Sequence, residues 1–185
     1  SPSSPYSASK ASAQHLVYSW YKTFNLPTIS TNCSNNFGKY QNKEKFIPKI
    51  IKSIISSKKI PVYGNGMQKR DWIHVDDHIR AILKVGEKAE VGSSYNIGGD
   101  NYISNLELIK LILEIIKNKT TLLKNHTKFD DVIEFVKDRP GHDVAYKVDS
   151  SKIIKELGWR PLLSFNNSLT DTVSWYLENQ EWLEY

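Results

Sequence analysis

Residues 4–38 read SPYSASKASAQHLVYSWYKTFNLPTISTNCSNNFG, and the order of elements in this stretch decides the fold. From Ser4 to Phe24 small residues and good helix formers dominate, and Leu16, Val17, Trp20 and Phe24 recur at helical spacing. Pro5 suits the first turn of that helix, and Asn25 with Pro27 stops it. Thr28 to Cys33 is short and rich in β-branched residues, which predicts a buried strand. Asn35, Asn36, Phe37 and Gly38 then read as a loop at its C-terminal end, the edge of a parallel sheet where ligands usually bind.

Downstream the alternation continues. Helices are predicted over 46–55, from Asp76 as N-cap to about 87, from Ser104 or Asn105 as N-cap over 106–117, from Ser150 as N-cap to Leu157 with Gly158 as stop, and over about 168–179. Strands are predicted over 60–63, 72–75, 94–97 and 132–136, with 118–130 and 138–142 as loops. Helices and short strands that alternate without an internal repeat make an α/β pattern. No Gly-rich strand-to-helix turn of the dinucleotide type occurs in it.

Composition narrows the function classes. The chain has 185 residues, 39% hydrophobic and 24% charged, ordinary for a globular protein able to bury a core. No apolar run approaches the roughly 20 residues that span a bilayer, and the start has no basic region followed by an apolar stretch, so a cytoplasmic protein with no membrane partner is expected. One cysteine, Cys33, excludes an internal disulfide framework and a Cys-rich zinc site. The net charge of +5 comes from scattered lysines. The nearest thing to a basic stripe, Lys43 to Lys59, reads as a solvated helix face and not as a nucleic-acid surface.

Tyr6 and Lys10 lie one turn apart on one helix face. A phenol is a poor base at neutral pH, and a neighbouring ammonium favours its phenolate. Such a pair can take a proton from a sugar hydroxyl as hydride leaves the same carbon. Tyr18 and Lys22 repeat the spacing and read as structural. Ser7, Ala8 and Ser9 are all small and leave room for a flat cofactor beside the first pair. The alternative is a surface tyrosine with a solvated lysine.

Other polar groups offer further chemistry. Arginine is scarce, and Arg70 and Arg139 fall in predicted loops; with His142 they form a candidate clamp for a diphosphate. Salt bridges to Asp71 or Asp138 are the alternative. Arg80 and Arg160 read as structural. Asn35 and Asn36 present amides suited to sugar or phosphate oxygens, or to a turn. Phe46 and Tyr63 are either base-stacking or core aromatics. His74 and His78 bracket Asp76 and Asp77, but a strand residue and a helix residue would not share one face, so no metal site is expected.

Several segments together carry a resemblance: SPYSASKASA at 4–13, LPTISTNCSNNFG at 26–38, EKFIP at 44–48, PVYGNG at 61–66, RDWIHVDDH at 70–78, YNIGG at 95–99, DRPGHD at 138–143 and ELGWRP at 156–161. They resemble the extended short-chain dehydrogenase/reductases and, within that superfamily, the C-terminal portion of the dTDP-glucose 4,6-dehydratases. The first segment marks only the superfamily; its combination with DRPGHD is far more specific. The resemblance implies the C-terminal part of a Rossmann-type parallel sheet plus a smaller α/β substrate-binding domain. Residues 1–38 would be a remnant of the NAD-binding domain. Residues 39–185 would mainly bind nucleotide-sugar, with some segments returning to the sheet.

By the same resemblance Tyr6 and Lys10 are catalytic and contact NAD, and Asn36 lies by the nicotinamide. Asn35, Lys45, Phe46, Pro61, Val62, Tyr63, Arg70, Asn105, Asp138, Arg139, Pro140, Gly141 and His142 surround the substrate, expected to be dTDP-glucose. The reaction implied is oxidation at C4, loss of water across C5 and C6, and return of hydride to C6. The relatives' Gly-rich turn and their Asp-Glu elimination pair would lie upstream of Ser1, so the isolated piece is expected to be inactive. The complete protein is expected to be a homodimer through the Tyr/Lys helix. A 4-epimerase or decarboxylase of the same superfamily, and a non-catalytic nucleotide-sugar-binding or dimerisation module, are the competing readings.

Overall fold

The structure, a computed structural model, describes residues 2–123, 128–138, 141 and 145–184. Helix α1 (Pro5–Phe24) begins at Ser4, whose hydroxyl accepts the Ser7 N–H at 3.1 Å, and ends at Asn25 in the left-handed region (φ 54°). Strand β1 (Ser30–Cys33) follows and pairs in parallel with β5 (Ser94–Ile97). Between these two run β2 (Asn35–Phe37), α2 (Phe46–Ile55), β3 (Ile60–Tyr63), β4 (Lys69–His74) and α3 (Val75–Lys88). After β5 come β6 (Tyr102–Ser104), α4 (Asn105–Lys119), β7 (Ile133–Val136), β8 (Ala145–Tyr146), α5 (Ser151–Leu157) and α6 (Phe165–Glu178). The fold is α/β with mostly parallel pairing: β1 with β5, β3 with β7, and β4 with β2 and β8, while β6 joins β4 antiparallel.

Two apolar cores hold these elements. In α2, Ile47, Ile50, Ile51 and Ile54 are buried, the i, i+3, i+4, i+7 stripe of an amphipathic helix. They pack with Val62, Trp72, Leu108, Ile112, Leu169 and Tyr176 in the larger core. The smaller core joins Ile73, Ala81, Val85, Tyr95, Ile97, Ile153 and Trp159, with Ile29 and Cys33 against it. Strand β4 belongs to both, because Trp72 and Ile73 point to opposite faces. Each such fully buried side chain contributes about 1.5–3 kcal/mol.

Several expectations from sequence need correction. Asn35–Phe37 is strand and not loop: it continues from β1 past one residue, Ser34, and pairs with β4. The N-cap of α3 is His74, whose Nδ1 accepts the Asp76 N–H at 3.3 Å, and Asp76 sits in the first turn. Helix α4 runs on to Lys119, and Ser104 caps it reciprocally with Glu107. Ser150 does not cap α5 with its side chain; its hydroxyl accepts the Gly98 N–H at 2.6 Å while Asp149 accepts the Ser151 N–H at 2.9 Å. Helix α6 starts at Phe165, and β6 and β8 lay unread in sequence. Both strands are too short to show an alternating pattern, and both exist because β4 offers them a partner.

Candidate functional site

Strand β2 divides the site. In register, Asn35 lies opposite Trp72 and Asn36 opposite Ile73. Alternation therefore puts Asn35 on the larger core's side and Asn36 on the smaller core's side. The two amides do not act as a pair on one oxygen. The Asn36 amide nitrogen donates to the Ser34 carbonyl at 3.1 Å and to Cys33 Sγ at 3.3 Å, and its oxygen lies 2.8 Å from His78 Nδ1. The oxygen can only accept, so His78 Nδ1 carries the proton there. Burial holds the His78 imidazole below its ordinary value.

The larger core's side gathers most of the residues expected to meet substrate. Phe46, the first residue of α2, stacks on Trp72 with ring centroids 6.3 Å apart, and Lys45 before it is exposed. Pro61, Val62 and Tyr63 form the end of β3; Val62 is buried and Tyr63 half-buried. Arg70, expected in a loop, stands instead on β4, which starts at Lys69; it is half-buried, opposite Ile103 of β6 and Tyr146 of β8. The alternative of an Arg70–Asp71 bridge meets a different outcome for Asp71. That buried carboxylate accepts the Gly99 and Asn101 N–H groups at 3.0 and 2.8 Å, and burial raises its pKa. Asn105 opens α4, its N–H donating to the Gln68 carbonyl at 3.1 Å. Asp138 accepts from Gln68 Nε2 at 2.9 Å.

Gly141 links these residues to α1. A Cβ built on it would stand 3.0 Å from the Ser3 carbonyl oxygen, and its φ of +68° suits glycine. Gly141, five residues after the end of β7, therefore lies against the start of the helix that carries Tyr6. Arg139 and His142, the rest of the expected diphosphate clamp, and Pro140 between them lie outside the described residues.

Tyr6 and Lys10 stand on the first turns of α1 and are both exposed, Tyr6 by 73%. The repeat of this spacing at Tyr18 and Lys22 is packed instead: the Lys22 ammonium lies 5.6 Å from the Tyr18 ring centre and 5.2 Å from that of Tyr21. His74 and His78 have separate partners, and no group of three or more potential metal ligands occurs among the described residues. Arg80 binds Asp77, which also accepts the Leu162 and Leu163 N–H groups. A separate groove of about 880 Å³ between Gly98–Asn101, the start of α5 and Arg160–Phe165 contains none of the expected residues.

A family profile described as GDP-mannose 4,6 dehydratase matches residues 1–172. The chain belongs to this dehydratase family. It is 50% identical over 182 residues to the dTDP-glucose 4,6-dehydratase of Neisseria meningitidis serogroup B, covering 98% of this chain and 51% of that one. The crystal structure of the dTDP-glucose 4,6-dehydratase of Bacillus anthracis str. Ames in complex with NAD superposes with a TM-score of 0.89 at 42% identity, covering 100% of this chain and 55% of that one. The Streptomyces venezuelae dTDP-glucose 4,6-dehydratase with NAD and TYD bound also gives 0.89, at 38% identity, with 100% and 54% covered. The chain thus spans about half the length of the relatives it matches.

Within this dehydratase fold, the contacts of Gln68, His78 and Tyr146 were not expected from sequence. Tyr146 donates to the Cys33 carbonyl at 3.4 Å, tying β8 to the end of β1. Of these, His78 carried a signal in sequence, its place four residues after His74, which raised a metal site and was set aside, with nothing in the spacing to indicate Asn36.

Proposed function

We propose that the chain forms part of an NAD-dependent dTDP-glucose 4,6-dehydratase and carries its oxidation base and most of its nucleotide-sugar wall. The observation that supports this most is the packing of Gly141, a residue of the DRPGHD segment, against Ser3 at the start of the helix of Tyr6 and Lys10. Residues 1–38, with β5, α3 and α5, serve the cofactor side; residues 39–185 otherwise mainly serve the sugar nucleotide. The two separate cores, meeting along β4, support that division.

The residues present fit the nicotinamide-ribose end of the cofactor. Tyr6 and Lys10 project from α1 with only small residues between them, and Asn36 lies on the smaller core's side of β2. Bound NAD supplies the hydride chemistry at C4 and C6. Tyr6 accepts the C4 hydroxyl proton, and Lys10 holds a ribose hydroxyl and steadies the charge left on the phenol. Arg70, with Arg139 and His142, holds the diphosphate, and Phe46 and Tyr63 flank the base. Asn35, Lys45, Pro61, Val62, Asn105, Asp138, Pro140 and Gly141 complete the wall. Among the described residues no helix is long and apolar enough to cross a membrane, and the single free cysteine suits a reducing, cytoplasmic setting. The exposed apolar residues of α1 support a homodimer.

The test uses the full-length protein with NAD and dTDP-glucose, following the 4-keto-6-deoxy product. Tyr6→Phe is expected to lower turnover by about 10²–10⁴-fold while binding of thymidine diphosphate stays nearly unchanged. Normal turnover of Tyr6→Phe would remove Tyr6 as base. Failure of the unaltered protein to consume dTDP-glucose would remove the substrate assignment.

A further inference from the structure

Gln68 is a buried polar residue, 6% exposed, in a turn between two glycines and the arginine of β4. It bonds to three segments on which the nucleotide wall is built and leads directly into a fourth, β4. Its side-chain nitrogen donates to the Tyr63 carbonyl at 3.2 Å, at the end of β3, and to Asp138 Oδ2 at 2.9 Å, just after β7. Its backbone carbonyl accepts the N–H of Asn105, the first residue of α4, at 3.1 Å. Two residues on, Arg70 stands on β4.

The turn is shaped to admit this bridge. A Cβ on Gly64 would come within 2.9 Å of Asp138 Oδ2 and 3.0 Å of Gln68 Nε2, and Gly64 has a φ of +59°. A Cβ on Gly66 would meet Leu106 at 2.6 Å and Val62 at 2.8 Å. Either side chain would push the turn away from the elements it joins. The hydrogen bond from an amide to a carboxylate is also of the stronger, charge-assisted kind.

Stability alone is a poor reason for this amide. Its oxygen Oε1 is buried with no hydrogen-bond partner among the described residues, and an unsatisfied buried polar atom is unfavourable where an apolar side chain of similar size would fill the space. A donor with two hydrogens aimed at two acceptors, one on β3 and one after β7, does something Met or Leu cannot: it fixes the spacing between Tyr63 and Asp138.

We propose that Gln68 is a positioning residue for the nucleotide diphosphate. It ties the end of β3 and the residue Asp138 after β7 to the start of β4, so that Tyr63, Arg70 and Asp138 keep one geometry. This deepens the dehydratase reading and rests on it. Gln68 itself takes no part in the chemistry, so its loss acts on binding before it acts on the catalytic step.

The experiment is calorimetry of thymidine diphosphate binding to the full-length protein and to Gln68→Met, Gln68→Glu and the double variant Gln68→Glu with Asp138→Asn, each checked for folding by its thermal transition. Both single variants are expected to bind roughly tenfold to hundredfold more weakly, with KM raised more than kcat is lowered. Gln68→Glu sets two carboxylates against each other, so its binding should strengthen as pH falls and the pair comes to share a proton. Adding Asp138→Asn restores an amide–carboxylate pair with the roles reversed and should return part of the lost affinity. If the folded single variants bind like the unaltered protein, or if the double variant binds no better than Gln68→Glu, Gln68 is not a positioning residue. Absence of binding by the unaltered protein would instead overturn the dehydratase reading itself.

Discussion

The Asn36 side chain is held from three sides, by the Ser34 carbonyl, by Cys33 Sγ and by His78 Nδ1. Its orientation therefore depends on a titratable neighbour. Burial lowers the His78 pKa from its ordinary 6.5. As pH falls through about 6.5, the unfolded chain takes up this proton before the folded chain does, so the unfolded state gains relative stability. The contribution is fully present above that value and declines below it. Protonation leaves Nδ1 a donor, so the bond to Asn36 survives; what is lost is the favour burial gives to the neutral ring. His78→Gln keeps an amide donor for Asn36 and removes the titration. Its melting temperature should therefore drop less between about pH 7 and about pH 5.5 than that of the unaltered protein. Parallel declines in thermal melts at the two pH values would show that His78 does not titrate in this window.

At the scale of elements, the turn after β5 shows how closely the two cores are joined. A Cβ on Gly99 would lie 1.9 Å from the Trp72 carbonyl oxygen, a backbone atom that cannot swing away. Gly99→Ala should thus separate this turn from β4 and lower stability by about 1–3 kcal/mol, with the overpacking of a filled space as the cause. Gly86 is the contrast: it lies in α3, exposed, with nothing within 4 Å of an added Cβ. Gly86→Ala should raise stability by about 0.5–1 kcal/mol. Urea midpoints with unchanged slopes check both; opposite signs are expected, and a neutral Gly99→Ala would mean the turn can move freely. The long elements were legible in sequence because their own residues carry the signal: α1 its small residues and stop at Asn25, α2 its isoleucine stripe, α4 its Ser104 cap. Strands β2, β6 and β8 were not, since two or three residues hold no period and their pairing depends on β4. The site divides in the same way. Tyr6, Lys10 and Arg70 stood out by residue type and spacing. Gln68 did not, because a glutamine in a turn looks solvent-facing until the fold brings Asp138, seventy positions away, to its amide.

For the whole molecule, α1 raises the question of what covers it. It is twenty residues long with none buried, and a helix apolar on its outer side is unfavourable in water without a partner. Tyr21 is turned inward, its ring where a Cβ of Gly92 would fall. Leu16, Trp20 and Phe24, four residues apart in turn, form a stripe exposed by 60%, 53% and 64%, and the Trp20 and Phe24 rings pack on each other at 4.9 Å. A two-fold partner would bury the same stripe on both copies, since such an interface is self-complementary. Each of these side chains, fully buried, contributes about 1.5–3 kcal/mol, so a helix pair with three on each side has ample apolar surface for association. Light scattering of the full-length protein at micromolar concentration should give the mass of a dimer. Leu16→Glu with Trp20→Glu would place two charges on each copy in the apolar seam and should give a monomer. The Tyr6 face lies at the other end of α1, so loss of the dimer should leave thymidine diphosphate binding in place, because the wall proposed for that ligand stands on β3, β4 and α4. A monomeric unaltered protein would refute the homodimer, and a double variant that stays dimeric would move the interface off this stripe.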